Sequence, residues 1–120
     1  MIIHGREIGF LRTVKTTCDL AEMCPKNDIT KLQTLFDGND VSKTQKASAR
    51  FISIMSDGYE MRKAYDTPGY EPKPLTVDEI LYLSEEEFRS LFMAAVDAFK
   101  EGGAVTVEAE PVKQKKTNGQ

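Results

Sequence analysis

The sequence holds a single histidine, His4, and only two cysteines, Cys18 and Cys24, in 120 residues. A structural zinc site needs four such ligands, and two cysteines with five residues between them match neither a zinc nor a CxxC spacing. They are read as buried or partly buried free thiols of a reducing compartment. A nucleophilic triad would have to use His4 as its base, and nothing in the sequence marks a serine or cysteine that His4 activates. Phosphate cradles need a Gly-rich loop leading from a strand into a helix. Gly5 and Gly9 do not supply one, and Gly102-Gly103 follows a helix instead of opening one. Long apolar runs are missing as well, whereas a membrane span needs about 20 consecutive apolar residues. The opening Met1-Ile2-Ile3-His4 has neither the basic segment nor the apolar stretch of a secretory signal, so a cytoplasmic location is expected.

What is there suits one compact domain. At this length and with 40% hydrophobic residues, the chain can bury roughly two-thirds of the surface its unfolded form exposes. The net charge is −3, and the last ten residues carry Lys113, Lys115 and Lys116 with no acid, which leaves the body more acidic still. An acidic body is ill suited to a phosphate backbone, where affinity comes from basic side chains displacing counterions.

The period of the apolar residues predicts the elements. Ile2 to Leu11 reads as two short strands around a turn at Gly5, with Ile8 and Phe10 on one face. From Thr13 the period becomes helical, with Val14, Thr17, Cys18 and Ala21 on one side and a stop at Pro25. A short helix follows Asn27 or Asp28, with Ile29, Leu32 and Phe36 as its stripe and Gly38 as a left-handed exit. Ser42 and Gln45 fit a capping box that opens the longest helix. Ala47, Phe51, Ile54, Gly58, Met61 and Tyr65 share one line of that helix, and Ile52, Met55 and Tyr59 a second, with a kink expected at Asp57-Gly58. Pro68, Gly69, Pro72 and Pro74 preclude a helix or interior strand and predict a crossover pinned by Tyr70. Thr76 with Glu79, and Ser84 with Glu87, are two further capping boxes. The second opens a helix whose stripe is Phe88, Leu91, Phe92, Ala95 and Phe99, closed by Gly102-Gly103. Ala104 to Glu110 alternates like a half-buried strand and can join the hairpin as a third strand. The expected fold is therefore a predominantly helical α+β domain over residues 1–110. In it an amino-terminal β-hairpin packs on about five helices, and residues 111–120 form a disordered basic tail.

Acidic groups at Asp78-Glu79 and Glu85-Glu86-Glu87 resemble paired catalytic carboxylates or magnesium ligands, but their place in helix first turns already accounts for them. A helix-turn-helix over Thr76 to Lys100 fails on charge, because its recognition helix would begin with three glutamates. Phe51 and Phe92, at the centres of apolar stripes, are expected in the core. Met93 lies off the Phe88 stripe among Glu86, Arg89, Asp97 and Lys100, so it is expected to be exposed. A flexible thioether on a surface suits adaptable contacts, which makes Met93 the candidate partner contact. No catalytic, cofactor-binding or metal-ligating residue is assigned, and the expected role is a non-enzymatic one.

The order of these pieces resembles the tail assembly chaperones of long-tailed bacteriophages and prophages. The resemblance rests on the initial hairpin with Gly5-Arg6-Glu7, the helix ending Leu20-Ala21-Glu22-Met23-Cys24-Pro25 and the central helix around Phe51 to Tyr65. It is completed by Leu75-Thr76-Val77-Asp78-Glu79-Ile80 leading into Ser84-Glu85-Glu86-Glu87-Phe88, and it spans about residues 1 to 103. It implies a non-catalytic protein of the host cytoplasm that binds the long helical tape-measure protein and helps recruit tail-tube subunits. Self-association into a homo-oligomer fits that role, while no cofactor, small-molecule substrate, nucleic acid or membrane partner is implied. The family also commonly makes a longer product by a programmed ribosomal frameshift, for which Gln114-Lys115-Lys116 can encode a slippery heptamer. The alternative is a small helical adaptor or regulator that binds one folded protein.

Overall fold

Strand β2, Arg6–Leu11, enters the core with Ile8 and Phe10 both fully buried, as their alternation predicts. In this computed structural model, which describes residues 2–3, 5–102 and 104–107, the sheet order is β1 (Ile2–Ile3), β2, β3 (Ala104–Val107). Gly5 turns between β1 and β2 with φ of 76°, and both neighbours run antiparallel to β2, Ile3 opposite Arg6 and Phe10 opposite Val105. His4, the end of the expected last strand and the expected tail over 111–120 lie outside the described residues.

The rest is helical, which makes the fold a predominantly helical α+β domain. Helix α1, Val14–Met23, starts at Thr13, whose hydroxyl accepts the Thr16 amide, and ends before Pro25. Two 3-10 segments follow, Pro25–Asn27 and Ile29–Phe36, the second capped by Asp28. Helix α2, Val41–Asp66, is about 39 Å long at 1.5 Å per residue. It is the axis of the molecule, in contact with β2, α1, the second 3-10 segment, α3 (Val77–Leu81) and α4 (Glu85–Glu101).

Several sequence-based expectations are corrected. On α1 the buried side is Thr16 and Leu20, continued by Cys24, while Val14 and Cys18 are exposed. Thr16 is chosen by fit: its hydroxyl sits where α2 comes closest, against Gly58. Of the two thiols, only Cys24 is buried. Gly38 is not left-handed, since the positive-φ glycines among the described residues are Gly5, Gly69 and Gly102. Asp40, not Ser42, caps α2 by accepting the Lys43 amide at 3.1 Å.

The expected line along α2 also fails at its end, because Met61 and Tyr65 are exposed. The middle of α2 is buried over more than half its circumference, with Phe51, Ile52, Met55, Ser56, Gly58 and Glu60 all buried and Arg50 and Met61 exposed on the remaining side, so a single stripe cannot describe it. Asp57-Gly58 does not break the helix, which runs on to Asp66. Gly58 serves close packing instead: a Cβ there would run into the Leu11 carbonyl oxygen and the Thr16 hydroxyl. Strand β2 and helix α1 therefore approach α2 through a missing side chain.

Both expected capping boxes are present. Thr76 and Glu79 start α3, and Ser84 and Glu87 start α4, each with reciprocal side-chain to backbone hydrogen bonds. Gly102, in the left-handed region, ends α4 by donating its amide to the Ala98 carbonyl. Leu91, Ala95 and Ala98 are fully buried, the Leu91 side chain contributing about 1.5–3 kcal/mol and the two alanines letting α4 approach its neighbours closely. Phe92 is only partly buried, unlike Phe51, because its ring stands at the mouth of a groove. At the far end of α4, the Arg12 guanidinium stacks 3.9 Å from the Phe99 ring centroid and donates to the Phe99 carbonyl oxygen at 3.0 Å.

Candidate protein-binding groove

The two capping boxes place α3 and α4 eight residues apart in start, with a tight elbow between them. The Tyr82 amide closes α3 by donating to the Asp78 and Glu79 carbonyls, and the Leu83 amide donates to Ile80. This elbow faces the first two turns of α2 across an open groove of about 450 Å³. One wall is Val41, Thr44, Gln45 and Ser48, and the other carries Leu81, Leu83, Phe88 and Phe92.

The floor is aromatic. Phe36 stands edge-on to Phe92 at 5.2 Å and to Phe51 at 5.5 Å between centroids, and Phe51 meets Phe92 at 5.8 Å and Phe99 at 6.0 Å. Such edge-to-face pairs set the negative ring face against a positive ring edge, which fixes the rings more firmly than apolar contact alone. The Phe88 stripe thus has two roles: Phe88 and Phe92 pack on the core from one side and line the groove from the other. Sequence periodicity located the stripe but not its open side.

At the rim, the α2 side is mostly polar, with Val41 beside Thr44, Gln45 and Ser48. Val41 is 70% exposed, and Ser48 spends its hydroxyl on the Thr44 carbonyl at 2.9 Å. Glu85 and Arg89 are the charged lining residues. Leu81 and Tyr82 add exposed apolar surface at the elbow. Met93 is 58% exposed, one turn beyond Arg89 on α4, as its position off the stripe requires.

A second concavity holds the residue that sequence reasoning missed. Glu60, only 3% exposed, lies beside Glu7, Tyr59, Lys63, Tyr70, Glu71 and Lys73. Its Oε1 accepts the Tyr70 hydroxyl at 2.5 Å and the Lys73 amide at 2.9 Å, while Lys63 Nζ stands 4.8 Å from the Tyr70 ring centroid. Tyr70 does pin the crossover, and Glu60 is what it is pinned to. The signal was present: Ser53, Ser56 and Glu60 recur at helical spacing as a polar stripe facing a proline-rich segment whose backbone lacks a sheet partner.

In the acidic first turns the Glu79 and Glu87 carboxylates act as caps, accepting the Thr76 and Ser84 amides. Among the described residues, no three His, Cys, Asp or Glu side chains are grouped to hold a metal ion. Nor is any described helix long and apolar enough to cross a membrane. Burial pushes the Cys24 thiol pKa up, with the nearby Asp28 charge adding to it. The Asp28 carboxyl is held below its usual range by hydrogen bonds from the Thr30 hydroxyl and amide. Both shifts belong to the α1 and 3-10 region and not to the groove. Compared with known proteins, the chain matches no family model, no curated protein and no solved structure.

Proposed function

We propose that the protein is a non-catalytic tail assembly chaperone that holds an apolar stripe of a helical partner, the phage tape-measure protein. The observation that supports this reading is the aromatic-floored groove between α2 and the α3–α4 elbow. Its walls each offer about two helical turns, roughly 11 Å, which suits the i, i+3, i+4, i+7 anchors of one amphipathic helix. A long helical partner kept in solution by many copies needs such shallow, repeated cover for its apolar face. Recruitment of tail-tube subunits and the frameshifted longer product at Gln114-Lys115-Lys116 belong to the same proposal.

Co-expression with a long helical tape-measure protein tests it. Val41→Asp and Leu81→Glu alter exposed rim positions, so both variants should fold yet lose most of the co-purified partner. Tyr65→Glu, exposed at the other end of α2, should lose none. Equal recovery with all three variants would overturn the groove as the binding surface. Recovery of a folded globular partner in place of a helical one would favour the adaptor.

A further inference from the structure

We propose that the outer face of α4 is a self-complementary interface, through which two copies of this chain pair antiparallel about a two-fold axis at Met93. At 100° per residue, Glu86, Arg89, Asp97 and Lys100 all fall within about 40° of Met93 around the helix. All five side chains are exposed. The ion pairs formed among the described residues join Lys15 to Asp19 and Arg62 to Asp66, so the four charges of this face are uncommitted to one another.

Their order has a symmetry that a solvated face does not need. Glu86 precedes Met93 by seven residues and Lys100 follows it by seven. Arg89 precedes it by four and Asp97 follows by four. A two-fold axis that passes between the two helices at the level of Met93, normal to both, reverses the distance along α4 and keeps each residue on its own side of the contact line, so residues equally far before and after Met93 come to one height across that line. That operation sets Glu86 opposite the partner's Lys100 and Arg89 opposite the partner's Asp97, each pair formed twice. Every charge on the face then meets its opposite, and the two Met93 thioethers meet on the axis, where an adaptable apolar contact fits. Parallel pairing would set each charge against its own kind, so the pattern selects one orientation.

One helix face is smaller than a standard interface of about 1,600 Å², so the pairing is weak and sensitive to salt. The face adjoins the groove and shares Arg89 with its rim. Pairing would therefore bring two grooves alongside each other and make the dimer bivalent for a repeating partner. The symmetry argument does not depend on what the groove holds.

The test uses the full chain alone, with Cys18→Ser removing the exposed native thiol. In that background Met93→Cys places a thiol on the axis, within disulfide reach of its own copy. Glu86→Cys places the two thiols about 21 Å apart along the paired helices, too far to bridge. Under mild oxidation Met93→Cys should form disulfide dimer about ten-fold faster than Glu86→Cys, and a mixture of Glu86→Cys with Lys100→Cys should form the mixed dimer. Adding Arg89→Asp to Met93→Cys should slow the reaction, and adding Asp97→Arg as well should restore it. All sites are exposed, and unchanged thermal melting checks that each variant is folded. Equal rates for Met93→Cys and Glu86→Cys, or a double charge exchange no faster than the single one, would overturn the proposal whatever the groove binds.

Discussion

The Tyr70 hydroxyl donates to the buried Glu60 carboxylate at 2.5 Å, and the same oxygen accepts the Lys73 amide at 2.9 Å. One turn earlier on α2, the Ser56 hydroxyl accepts the Leu75 amide, and Ser53 donates to the Leu75 carbonyl. Three α2 side chains thus do for the proline-rich crossover what a neighbouring strand does for an extended segment. Glu60→Ala, which leaves the Lys73 amide and the Tyr70 hydroxyl without this acceptor, should cost about 2–3 kcal/mol in urea unfolding. Glu60→Gln keeps the acceptor oxygen and should lose less than half as much. Equal losses would show that the acceptor is not what holds the crossover.

Gly58→Ala has an expected sign opposite to its helix propensity. In an open helix interior the change stabilises by about 0.5–1 kcal/mol. Here the new methyl meets the Leu11 carbonyl oxygen and the Thr16 hydroxyl, so α2, β2 and α1 must separate, a net loss of about 1–3 kcal/mol. A higher melting temperature for the variant would refute the close approach.

Phe51→Ala should cost about 3–5 kcal/mol, since its ring is 1% exposed and meets Phe36, Phe92 and Phe99 edge-to-face. Phe92→Ala should cost roughly half that, because its ring already faces the groove. Denaturant midpoints of the two variants give the order directly. If Phe92→Ala is the worse of the two, the groove is filled by its own walls and not open to a partner.

The cysteines should separate by reactivity. A maleimide should modify Cys18 alone in the native chain and reach Cys24 only after unfolding, because Cys24 is buried and its thiol donates to the Leu20 carbonyl at 3.3 Å. Burial also raises the Cys24 pKa, so on alkalisation the unfolded chain loses that proton first and the native state loses stability as pH rises through the usual thiol range. Cys24→Ala should remove that part of the slope. Modification of two thiols per native chain would contradict the assigned burial.

Legibility in the sequence followed how local the cause was. The boxes at Thr76 and Ser84 and the stop at Gly102 depend on residues three or four apart, so spacing alone located them. The buried side of α1 depends on Gly58, some forty residues on, and periodicity around Val14 and Cys18 pointed to the wrong face. Glu60 was passed over because a carboxylate inside an apolar stretch reads as a solvated position until the crossover folds onto it. Of the groove, Phe88 and Phe92 were legible as a stripe and Met93 as exposed. The facing wall of α2 was not, since only the tertiary crossing of α2 and α4 creates it.

The Arg12–Phe99 contact joins residues 87 positions apart. Until Phe99 has been synthesised, β2 has no cover from α4, and the buried face of Phe10 and Ile8 must wait among α1 and α2 alone. Until that closing contact forms, the unfinished chain exposes the same apolar faces that the complete protein buries. During its own synthesis the protein is briefly in the position of the helical partner proposed for it, with an apolar stripe and nothing yet to cover it.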